Sequence, residues 1–185
     1  MMIKIPVGIS NRHVHLTKED VDILFGKNYQ LTKRRNLSQK GQFACEEVVS
    51  LKNGNNIIEY VRVLGPIRKY TQVEVSKTDA NYLEINPPIR NSGDLENSET
   101  IIIIGPKGQI KKQNSCIIAT RHIHINSSDY PDFDDNDIVK LKVRDNVIMD
   151  NVYIKKDPTY VLELHIDKDD AKKYELENGD VVILE

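Results

Sequence analysis

The sequence predicts a mainly β fold built from small barrels and capped by a few short helices. Three observations carry this expectation. Apolar runs are short and bounded by turn residues, as in Ile57 to Leu64 and Val181 to Leu184. Hairpin-type turns recur between them, among them Asn53-Gly54-Asn55-Asn56 and Asn178-Gly179-Asp180. The helical stretches are one or two turns long, with no regular βαβ rhythm and no long amphipathic helix.

In chain order, Ile3 to Val14 reads as a strand broken near Gly8. Thr17 to Phe25 reads as a helix, with Thr17 as N-cap, Asp20 reaching back to it, and Gly26 as the stop. Residues 29 to 42 are polar and basic and read as a loop. Glu47 to Leu51 and Ile57 to Leu64 read as paired strands, and Gly65-Pro66 breaks the second. Tyr70 to Val75 is extended, and Ser76 to Leu83 is a second capped helix. Thr100 to Gly105 reads as a buried strand because Ile101 to Ile104 is continuously apolar. Ser115 to Ile125 reads as one strand, followed by a turn of helix at Asn126 to Asp129. Strands follow at Ile138 to Val143, Val147 to Lys155 and Tyr160 to Ile166, then a helix at Asp167 to Tyr174 and a last strand at Val181 to Leu184.

Composition narrows the function classes. A chain of 185 residues holds one large or two small domains. Its 39% hydrophobic and 29% charged content is that of an ordinary soluble domain. A formal charge of -2 lacks the basic excess of a general nucleic-acid binder. No apolar run approaches the roughly 18 residues of a membrane span. The start, Met1 to Pro6, is not a signal peptide. Cys45 and Cys116 form no Cys-x-x-Cys motif and read as small buried apolar residues in a reducing cytoplasm.

The histidines are the chemical signal. Four of the five lie in two near-identical phrases, Arg12-His13-Val14-His15 and Arg121-His122-Ile123-His124. His15, His124 and the fifth histidine, His165, are each followed at +2 by a capping residue and at +5 by an aspartate; Glu74 leads a fourth copy. This describes a repeated strand-to-helix corner, supplied in pairs by two related halves, 15 with 74 and 124 with 165. Side chains at i and i+2 of a strand share a face about 6 to 7 Å apart, so two imidazoles converge on one ion. Allocation by spacing gives His13, His15 and Glu74 to one metal and His122, His124 and His165 to another. Each three-donor set leaves a position open, the pattern of catalytic zinc. Cobalt, manganese and iron suit the same donors. Arg12 and Arg121 alternate to the opposite face and read as structural. Arg68 offers a fork for phosphate or carboxylate, or a surface ion pair. The basic loop from Lys33 to Lys40 is either a solvated face or a hold for a phosphate-rich ligand.

Several segments carry a resemblance in combination: Pro6 to Leu16, Leu37-Ser-Gln-Lys-Gly-Gln-Phe43, Val61 to Arg68, Thr71-Gln-Val-Glu-Val-Ser76, Arg90-Asn-Ser-Gly-Asp94, Arg121 to His124 and Leu162 to Asp167. The chain closely resembles the PduL-type phosphate propanoyltransferases, the phosphotransacylases of bacterial microcompartments and their cytosolic relatives. The resemblance runs from about residue 5 to the C-terminus. It implies two small β-barrel domains capped by short α-helices, with the active site between them. The first barrel would take residues 1–11 and 120–185, the second residues 12–119. It implies two Zn2+ ions on the same six ligands, an essential phosphate-binding Arg68, and coenzyme A contacts at Ser10, Arg35, Arg62 and Leu64. The implied substrates are acyl-CoA, phosphate and acyl phosphate, in a cytoplasmic homodimer without nucleic-acid or membrane partners. Many microcompartment members carry an N-terminal encapsulation helix, whereas this sequence starts almost at the first barrel strand. The stretch between His124 and His165 is shortened, which implies a changed surface turn. Two other readings of the donors stand beside this one, a dinuclear hydrolase and a non-catalytic module with structural metals.

Overall fold

The computed structural model describes residues 2–184. Its strands are β1 (Ile3–Ser10), β2 (His13–His15), β3 (Lys33–Asn36), β4 (Phe43–Asn53), β5 (Asn56–Gly65), β6 (Gln72–Glu74), β7 (Ile89–Arg90), β8 (Glu99–Ile104), β9 (Gln109–Ala119), β10 (His122–Ile125), β11 (Ile138–Arg144), β12 (Val147–Lys156), β13 (Glu163–Asp167) and β14 (Val181–Leu184). Three short helices interrupt them: α1 (Lys18–Phe25), α2 (Lys77–Leu83) and α3 (Lys168–Tyr174). The chain divides into two compact units, Met1–Asn11 with Thr120–Glu185, and Arg12–Ala119.

Each unit is a closed barrel. In the first, the order β1-β13-β10-β12-β11-β14 closes through the β14–β1 pair. In the second, β4-β5-β2-β6-β9 is closed by β8, which pairs with both β9 and β4, while β3 and β7 flank the ring. The two rings have the same strand directions. β2 runs parallel to β5 and antiparallel to β6, as β10 does to β12 and β13. β6 runs parallel to β9, as β13 does to β1. The N-terminal strand therefore takes in the first barrel the place that β9 takes in the second. Residues 10–13 and 119–122 are matching junctions, each leading from that strand into a histidine phrase.

Each barrel has its own core. Alternation is clean in β1, where Ile3, Ile5 and Val7 are buried and Lys4 and Pro6 exposed. Leu16, Val21, Leu24, Leu51, Val63 and Val73 help fill the second barrel; Ile123, Leu141, Met149, Ile154 and Leu164 help fill the first. Burying each such side chain contributes about 1.5–3 kcal/mol.

Several local expectations are corrected. The break in the first strand falls at Asn11-Arg12, not Gly8, which lies inside β1. A Cβ at Gly8 would stand 2.8 Å from the carboxyl carbon of Glu163, so a larger residue there would displace that side chain. Residues 115 to 125 are likewise two strands, parted at Thr120-Arg121. The basic segment contains β3, which pairs with β4 and whose residues are all exposed, so no buried face left a periodic signal. Asn126 to Asp129 is a turn without a helix, because Tyr130 precedes Pro131 and is steered away from helical backbone. In β8 only Ile101 and Ile103 are fully buried, so its four isoleucines alternate.

Candidate metal centres

The corners are built by capping. Thr17, Ser76 and Asp167 each accept from the backbone N–H three residues on. At α2 the capping box is complete, with Asp79 accepting from the Ser76 N–H at 3.2 Å. Asp20 does not reach back to Thr17; its buried carboxylate holds Thr71 and, at 2.8 Å, Lys112. The arginines of both phrases tie their strands to α2 and α3. Arg12 Nε lies 3.1 Å from Asp79, and Arg121 makes a bidentate pair with Asp170 at 2.7 Å through Nε and Nη2.

Strand register then brings the donors together. In the second barrel His13 lies opposite Glu74 and His15 opposite Gln72. In the first, His122 lies opposite His165 and His124 opposite Glu163. The donor atoms of His13, His15 and Glu74 lie within 4.8 Å of one another, as do those of His122, His124 and His165. Ligands about 2 Å from a zinc ion stand within such a span.

A polarity test supports a cation at both places. His15 Nδ1, His124 Nδ1 and His165 Nε2 are buried without a hydrogen-bond partner, which folded proteins rarely tolerate. Glu163 Oε2 approaches His165 Nε2 to 2.7 Å, yet that nitrogen forms no hydrogen bond. Partners orient other rings from behind. His122 Nδ1 meets the Thr120 carbonyl at 2.8 Å, the Leu64 carbonyl bonds to the His15 ring, and Tyr160 packs on His124 with centroids 4.2 Å apart. Burial, then the charges of His13 and Arg68, hold His15 well below the usual imidazole range. Burial with His165, His122 and Lys155 takes His124 down to about 2. Both rings are therefore neutral donors at physiological pH. N and O donors of this kind suit zinc, and no geometric reason bars another borderline divalent ion.

The remaining sequence-derived residues are placed as follows. Arg68 belongs to the same unit as the first donor set, and its backbone N–H donates to Leu16 at 2.9 Å. Arg35 is exposed on β3. Arg62 lies on β5, its Nη1 donating to the Cys45 and Glu46 carbonyls at 2.9 and 2.8 Å. Leu64 follows it on the same strand, half-buried. Ser10 ends β1 in the other unit, in register with Asp167. Cys45 and Cys116 are free and buried, and burial pushes the Cys45 thiol up to about 11. Sequence reasoning missed Gln72, Glu163 and Tyr160. For the first two a signal existed: each stands two residues before a donor, as His13 and His122 do.

Double barrels bearing one His-rich donor set each define the class, and comparison with known proteins narrows it. The model of the phosphate propanoyltransferase family matches residues 6–177. A phosphate propanoyltransferase of Thermotoga maritima is 48% identical over 183 residues, covering 96% of this chain and 87% of the relative. Relatives with the same name from Lachnoclostridium phytofermentans and Priestia megaterium are each 45% identical, covering 97% of this chain and 86% and 85% of their own lengths. The chain belongs to the phosphate propanoyltransferase family.

Proposed function

We propose that this protein is a zinc-dependent phosphate acyltransferase that exchanges phosphate and coenzyme A on a short acyl group, propanoyl or acetyl. In acyl-CoA + phosphate ⇌ acyl phosphate + CoA, the thioester C–S bond breaks, a C–O bond to phosphate forms, and the sulfur leaves as coenzyme A. The observation that carries this reading is a three-donor set with a guanidinium in its electrostatic reach, since the charge of Arg68 helps to depress His15. Family membership supports it.

Zinc on His13, His15 and Glu74, and on His122, His124 and His165, would supply Lewis-acid polarisation and a soft partner for thiolate. The protein's own groups do the rest. The neutral imidazoles of His15 and His124 keep their lone pairs available without competition from protons. Glu74 gives the first set one negative charge, whereas the second set is all imidazole, so the two sets are electronically unequal. Arg68 offers a planar fork to phosphate, orienting its oxygen and screening its charge. Phosphate is already anionic at neutral pH, so positioning matters more than deprotonation. Exposed Arg35 and the free donors of Arg62 suit the phosphates of coenzyme A, and we assign Ser10 and Leu64 to the same ligand.

The test is coenzyme A release from propanoyl-CoA with and without phosphate, in wild type and Arg68→Ala. Release should require phosphate, and the variant should lose about 10²-fold or more in turnover with unchanged metal content. Undiminished turnover would remove Arg68 from the reaction. Release without phosphate would make the protein a hydrolase instead.

A further inference from the structure

Between β6 and the turn after β7 lies a buried amide that the reaction does not use. Gln72 is fully buried. Its Oε1 accepts from the Gly93 N–H at 2.8 Å. A backbone N–H can only donate, so this contact fixes which end of the amide is oxygen. The Nε2 end then faces Glu74 Oε1 at 2.6 Å and Ser92 Oγ at 2.8 Å. Glu74 Oε2 is left 3.4 Å from His13 Nε2, among the first donor set.

We infer that Gln72 is a positioning residue that holds Glu74 Oε1 and presents Oε2 alone to the metal. The inference rests on the metal reading of His13, His15 and Glu74. Without the amide donor, the carboxylate can rotate about its last torsion, and either oxygen can turn to the cluster or to water. The strand period supplies the contact, because Gln72 and Glu74 share a face and lie opposite His15 and His13. The first barrel has a chemically complementary pair in the same register. There the third donor is an imidazole, and the residue two before it is a carboxylate, Glu163. An amide thus stands beside the carboxylate ligand and a carboxylate beside the imidazole ligand. Gln72 also joins the Asn91-Ser92-Gly93-Asp94 turn to the donor set. Gly93 can serve there because its φ is +93°.

The experiment titrates metal-free protein with Zn2+ against a chromophoric chelator. Glu74→Ala and His165→Ala mark the two sites by removing one each. Gln72→Met keeps the volume and removes every amide bond. Gln72→Leu likewise removes the donor to Glu74 at similar volume, so one variant suffices if the other fails to fold. Both should weaken the Glu74 site by about 10- to 100-fold and leave the His165 site unchanged. Ser92→Ala, which touches Gln72 but not Glu74, should leave both affinities within about twofold, well short of an outer-shell loss. Wild-type affinity in both Gln72 variants, with one site lost in Glu74→Ala, overturns this inference alone. Two intact sites in Glu74→Ala overturn the metal reading and the inference with it.

Discussion

At the scale of single residues, His15 and His124 couple the donor sets to pH. Burial holds both neutral in the fold, whereas an unfolded histidine titrates near 6.5. Below about pH 6.5 the unfolded chain binds protons that these two rings refuse, so the stability of the metal-free protein falls as pH falls. Above that range the rings are neutral in both states and contribute no slope. Each contributes up to about 1.4 kcal/mol per pH unit between the two pKa values. Urea unfolding of metal-free protein should therefore lose about 2–3 kcal/mol between pH 7.5 and 5.5 from these rings, and His124→Gln should remove about half of it. Equal stability of wild type and His124→Gln across that interval would mean that His124 is not buried neutral. The five histidines were legible in the sequence because the residue is rare in it and recurs with the period of a strand, and Glu74 because it leads the same corner spacing. The Leu64 and Thr120 carbonyls behind the rings were not, because a backbone acceptor leaves no trace in residue type. Gln72 was legible in principle, but alternation marks a shared face without saying which polar side chain holds another.

The strand-to-helix corner is the repeated element, and its parts are divided in the same way in both barrels. A strand ends on a donor, a cap starts the helix, and the N3 aspartate of α2 or α3 receives the phrase arginine. The barrels also share a bulge, and there one residue departs from the easy choice. Asn151 on β12 has φ 51°, and Tyr60 on β5, at the matching position, has φ 58°. Asparagine tolerates left-handed backbone, whereas a tyrosine held there is strained. Tyr60 is 81% exposed, so its ring recovers little by burial. Tyr60→Asn should stabilise the protein by about 1 kcal/mol, seen as a higher denaturant midpoint at unchanged slope. A lower midpoint would show that the ring has a packing role that its exposure conceals. Helices and strands with a buried face were readable from period and caps. β3 was not, since a charged edge strand has no apolar alternation. The parting of β1 from β2 and of β9 from β10 was not readable either, because neither junction carries a glycine or proline to mark it.

For the whole molecule, two barrels of one topology each have a core and a donor set of their own. Metal should therefore stabilise them through separate sites. A ligand that binds only folded protein contributes about 2.7 kcal/mol when its free concentration is a hundred times Kd. In a chain of this length, 1 kcal/mol moves Tm by about 2–4 °C. Scanning calorimetry of zinc-loaded and chelator-treated protein should thus differ by roughly 5–10 °C for each saturated site, if the chain unfolds in one transition. His15→Ala should lose the part due to the second barrel and keep the other, and His124→Ala the reverse. Where the barrels unfold in two transitions, each variant should flatten the zinc response of one and spare the other. Separate losses would show that the two sets bind independently. Loss of the whole response in either single variant would show that one metal cannot bind without the other, and an unchanged Tm on chelation would remove zinc from both barrels.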